Sequence, residues 1–107
     1  MQTTITARHC EISDALRERA RTVLDRLGAF AHRPQESAVV FDTDGAQQTA
    51  ELRLHVARGE VLIAHGEAED HRTALDRAEE KLRRQLEKDK ALARPRRTRD
   101  TQQPKIG

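Results

Sequence analysis

The sequence predicts an α+β fold, β-α-β-β-β-α, with two helices packed on one face of a four-stranded sheet. Three observations predict it. Two stretches repeat apolar residues at helical spacing, four are short and either apolar or alternating, and each helical stretch owns a single apolar stripe. Two one-sided helices laid on one face of an antiparallel sheet bury every stripe at once. The 107 residues suffice for one sheet and two or three helices around one core.

Residues 3–8 (TTITAR) alternate, with Ile5 and Ala7 on one face among β-branched threonines, and form the first strand. Ser13 or Asp14 offers an N-cap, after which Leu16, Ala20, Val23, Leu24 and Leu27 follow a helical period until Gly28. This first helix flanks its stripe with Arg17 and Arg21 on one side and Arg19 and Arg26 on the other. Residues 29–36 lack a period and read as a loop, with Phe30 tucked back onto the core. Residues 38–43 (AVVFDT) make the second strand and 44–48 a turn around Gly45. Residues 49–57 alternate, Leu52, Leu54 and Val56 opposing Glu51, Arg53 and His55, as a half-exposed antiparallel strand does. Residues 60–68 complete a hairpin, interrupted at His65 and Gly66. A long helix then starts at the N-cap Asp70 and ends near 91–93, ahead of Pro95.

Charged residues make up 36% of the chain and aromatics 2%, so the core must be small and mostly Leu, Val, Ile and Ala. The net charge of +2 hides an asymmetry. Residues 1–90 hold 15 Lys and Arg against 17 Asp and Glu, and residues 91–107 five against one. A slightly acidic body makes any polyanion binding a matter of where the cations sit. The single Cys10 excludes an internal disulfide and fits a reducing compartment; no apolar run approaches a membrane span, and no secretion signal opens the chain. These features predict a soluble cytoplasmic protein.

The long helix separates its side chains into stripes. Leu75, Ala78, Leu82 and Leu86 share the core face, while Arg77, Lys81, Arg84 and Lys88 form a second line more than a quarter turn away. Asp76, Glu80 and Glu87 gather on a third side. A charged line on a helix often serves only as a solvated face with i,i+4 pairs. Its functional reading is a rail for phosphates, because each cation displaces condensed counterions and Arg also grips phosphate oxygens bidentately.

Ile5-Thr6-Ala7-Arg8-His9, Glu11 to Arg17, Glu69-Asp70 with Ala74, Leu75 and Asp76, and above all Lys81-Leu82-Arg83-Arg84-Gln85-Leu86-Glu87-Lys88 resemble the ribosome hibernation promoting factors and ribosome-associated inhibitors, also labelled sigma-54 modulation proteins. The resemblance covers Ile5 to about Lys90. It implies the β-α-β-β-β-α fold, like a double-stranded-RNA-binding domain (dsRBD-like) with an added strand, binding in the mRNA and tRNA channel of the small ribosomal subunit, and silencing of idle ribosomes. It places Lys81, Arg84 and Lys88 at positions that are commonly basic and face rRNA; Arg77 is added from the helical wheel, and Arg8 from the first motif. Residues 1–93 are then the ribosome-binding domain and 94–107 a disordered basic tail. The chain looks like a short form, since residues 91–107 cannot build the further domain with which long members pair ribosomes. His71-Arg72 departs from the apolar-aromatic pair usual after the acidic helix start, and the basic tail from the acidic one common in the inhibitor branch.

No metal, cofactor or small-molecule substrate is expected. His55 and His65 could meet across the last hairpin, but no ligand spacing such as HxxxH or CxxC supports a site. No nucleophile elbow, P-loop or dinucleotide fingerprint points to an enzyme. With no Trp or Tyr and only two Phe, the chain lacks platforms for stacking single-stranded bases, which favours recognition of structured RNA by shape and phosphate. The alternative is a protein-protein module that pairs through a sheet edge or the basic helix without RNA.

Overall fold

The computed structural model describes residues 1–102, with the side chains of 1–88 apart from Arg58. The elements are β1 (Gln2–Ala7), α1 (Asp14–Phe30), β2 (Pro34–Asp44), β3 (Gln47–Val56), β4 (Val61–Ala68) and α2 (His71–Gln102), with a short 3-10 turn at Ala57–Gly59 between β3 and β4. The four strands form one sheet in the order β1-β2-β3-β4.

The sheet is mixed rather than wholly antiparallel as the sequence suggested. β1 pairs with β2 in parallel, Ile5 opposite Val39, whereas β2–β3 and β3–β4 are antiparallel. The cause is α1, a crossover that carries the chain back before β2 starts, so that adjacent strands joined through it must run the same way. β2 and β3 meet through a two-residue turn whose first residue, Gly45, has φ 65°, the region that such a turn requires.

α1 starts where Ser13 accepts the Leu16 N–H at 3.1 Å. It runs two residues past Gly28, so Phe30 lies in its last turn and packs against the core from there, and β2 begins already at Pro34. Val39, Phe41, Leu52 and Leu54 on the inner sheet face meet Ala20, Val23, Leu24 and Leu27 of α1 and Leu75, Ala78, Leu82 and Leu86 of α2, all buried. α1 and α2 lie side by side on that one face, α1 against β1 and β2, α2 against β3 and β4.

α2 continues beyond residues 91–93, with Pro95 inside it. The segment's Ala, Leu and Arg are strong helix formers and the helix is already nucleated, which favours extension, whereas Pro95 removes one i→i−4 bond. The tail expected over 94–107 falls partly here: the side chains from 89 onward, and residues 103–107 entirely, lie outside the described residues.

The start of α2 is fixed twice. Asp70 accepts the Thr73 N–H at 2.8 Å and its hydroxyl at 3.1 Å. His71 meets the Phe41 ring edge to face at 5.5 Å and donates from Nε2 to the Asp42 carbonyl at 2.9 Å. The Thr73 backbone N–H, then its hydroxyl, hold the Asp70 carboxyl below its ordinary value of 3.8. A depressed carboxyl stabilises the fold above its unfolded pKa and loses that contribution as pH falls through the folded value. Wild type and Asp70→Asn, whose cap does not titrate, should therefore converge in melting temperature as pH drops below 3.8; a gap constant with pH in acid melts would contradict the charged cap.

Candidate nucleic-acid interface

The basic line of α2 lies along the free edge of β4 because Gly66 lets the helix come unusually close. A methyl group at Gly66 would overlap the Ala74 carbonyl oxygen and stand 2.7 Å from the Ala78 nitrogen. At that approach three α2 side chains reach the edge. Arg77 Nη1 donates to the Glu67 carbonyl at 2.7 Å, Lys81 Nζ to the His65 carbonyl at 2.9 Å, and Gln85 Nε2 to the Ile63 carbonyl at 2.8 Å. Strand edges of this kind otherwise invite pairing with another chain.

All four cations of the line, Arg77, Lys81, Arg84 and Lys88, are exposed. Arg84 pairs with Glu80 at 2.9 Å, both side chains about two-thirds exposed, and Lys88 makes no ion pair among the described residues. A surface pair of that type contributes at most about 1 kcal/mol and exchanges readily for another anion.

The acids of α2 divide differently from the wheel's single third side. Asp76 faces α1 and accepts from Arg19 at 2.8 Å; Glu79, nearly buried, accepts from Arg26 at 2.9 Å and from Arg83 at 3.3 Å. Arg19 and Arg26 are thus cross-helix clamps, and they take up two α2 carboxylates on the side away from the line. Only Glu80 of the paired acids leans into it.

Arg8 does not join these residues. Its N–H extends the β1–β2 pairing to the Phe41 carbonyl at 2.8 Å and its side chain is exposed, but β1 and β4 are opposite edges, roughly 14 Å apart over three strand spacings. It stands instead beside the Asp42 carboxyl, which is held below its usual value by the Thr43 N–H at 2.7 Å and then by the His9 ring at 3.1 Å.

Gln85 is the residue that charge-based reading passes over. Its signal was its spacing, four residues beyond Lys81 and eight beyond Arg77 on the same line. His55 lies opposite Val61 and His65 opposite Glu51, so the two histidines do not face each other across the hairpin. Among the described residues no three His, Cys, Asp or Glu gather as a metal site would need, and no helix is long and apolar enough to cross a membrane.

Residues 3–93 match the model of the family described as sigma 54 modulation protein / S30EA ribosomal protein. The chain is 36% identical over 90 residues to a ribosome hibernation promoting factor of Escherichia coli, covering 84% of this chain and 94% of that one. Two solved structures share the fold: a ribosomal subunit interface protein from Coxiella burnetii, with a TM-score of 0.74 at 24% identity over 85% of this chain and 99% of that one, and the N-terminal domain of Thermus thermophilus Protein Y, with a TM-score of 0.70 at 27% identity over 82% and 98%.

Proposed function

The chain belongs to the sigma 54 modulation protein / S30EA ribosomal protein family, and on that premise we propose that it binds the small ribosomal subunit along the rRNA of the mRNA and tRNA channel and keeps idle ribosomes silent. Association with ribosomes and a part in their hibernation accord with the names its relatives carry, and the family is not one of enzymes. The protein then works where ribosomes are, in the cytoplasm.

The observation that carries the rRNA reading is the exposed line Arg77, Lys81, Arg84 and Lys88 on one rigid helix. Binding by such a line releases counterions for each phosphate neutralised, needs no base stacking, and reads the shape of folded RNA through fixed cation positions. Arg84 can trade Glu80 for a phosphate at little cost, since both ends of that pair stand in solvent. Arg8 lies off this line and would add at most a separate contact.

The test is co-sedimentation with purified small subunits over a salt series. Wild type should bind saturably and lose affinity steeply with salt. Replacing Lys81, Arg84 and Lys88 together by Gln should leave the fold intact and reduce the log-log salt slope by about 2 to 3, at roughly 0.7–0.9 per phosphate contact. Equal affinity and slope in the variant would overturn the rail. Pairing with another protein through the β4 edge is less well supported, because its carbonyls at 63, 65 and 67 already accept from α2.

A further inference from the structure

The three α2 bonds to β4 form a ladder with a simple geometric basis. Four residues of helix rise about 6.0 Å and two residues of strand about 6.6–6.8 Å. A helix running antiparallel to an edge strand can therefore place side chains at i, i+4 and i+8 on alternate carbonyls with less than about 1 Å of slip per rung. Here the rungs join 77 to 67, 81 to 65 and 85 to 63.

Two rungs are cations and the third is neutral. Arg77 spends one of five donors on the strand and Lys81 one of three, so both keep their charge and further N–H groups. Gln85 brings no charge at all, and its amide is held by the Ile63 carbonyl.

We propose that this ladder is a positioning device for phosphate binding: Gln85 fixes the rotation of α2 on β4, and Arg77 and Lys81 are presented as an aligned pair one helical turn apart, each shared between a strand carbonyl and a phosphate oxygen of structured RNA. The inference rests on the rRNA-binding reading above. Side chains already held in place lose less freedom when RNA binds, which is how a neutral residue strengthens a charged contact.

Gln85→Met keeps the length and removes the donor. Measured by co-sedimentation with small subunits below the melting transition of both proteins, it should bind about three- to tenfold more weakly, the effect of partly releasing the Arg77 and Lys81 side chains, equivalent to freeing about one of them. Its salt slope should equal that of wild type, because no charge is lost. Gln85→Lys, which retains a donor for the Ile63 carbonyl, should bind no more weakly than wild type. Wild-type affinity in Gln85→Met, beside a wild-type protein that does bind, would overturn the ladder alone. A wild-type protein that fails to bind small subunits at low salt would overturn the ribosomal reading and the purpose of the ladder with it.

Discussion

Gly66→Ala is expected to lower the melting temperature by about 12–24 °C, the shift that follows from about 3 kcal/mol in a domain of this size. The added methyl would occupy the space of the Ala74 carbonyl oxygen and crowd the Ala78 nitrogen. Both are backbone atoms of α2, so no side-chain rotation relieves the overlap, and the cost falls at or above the upper end of the usual 1–3 kcal/mol for overpacking. The helix must move off β4, which also pulls Arg77, Lys81 and Gln85 from their carbonyls. Thermal unfolding by circular dichroism gives the answer: a variant melting within a few degrees of wild type would mean that α2 is not seated this closely.

Leu82→Ala is the second large effect, expected to cost on the order of 2–5 kcal/mol. Leu82 is fully buried, as are Leu75 and Ala78 on the same stripe. Truncation leaves a cavity as well as losing apolar burial, and a small domain with roughly 5–15 kcal/mol in total has little to spare. Urea unfolding should show a lowered midpoint at an unchanged slope. A midpoint close to wild type would place the core elsewhere, even though the basic line one residue away were confirmed.

What the sequence disclosed depended on periodicity. The stripes of α1 and α2 and the alternation of Leu52, Leu54 and Val56 fixed both helices, the half-exposed strand and the side of α2 that faces water. Periodicity says nothing of strand direction, so the parallel β1–β2 pairing was not legible. Gly66 read as an interruption in the last strand because its role is set by α2, whose Ala74 and Ala78 must fold onto it before the close approach exists. Arg19 and Arg26 looked like cover for an apolar stripe; only the neighbouring helix reveals Asp76 and Glu79 as their partners. Arg8 and the α2 cations share a sign but occupy opposite sheet edges. His71, a departure from the expected apolar-aromatic pair, is instead a second fastening of the helix start through Phe41 and the Asp42 carbonyl.

The parallel seam between β1 and β2 orders the assembly of the molecule in time. Thr3 meets Ser37 across 34 residues of chain, whereas β2, β3 and β4 follow one another through hairpins. Contacts between near neighbours form early, and those that close a long segment wait for the entropy of that segment to be offset. The hairpin sheet with α2 over it, carrying the basic line, is the part that can take shape first; the parallel pairing of β1 closes last.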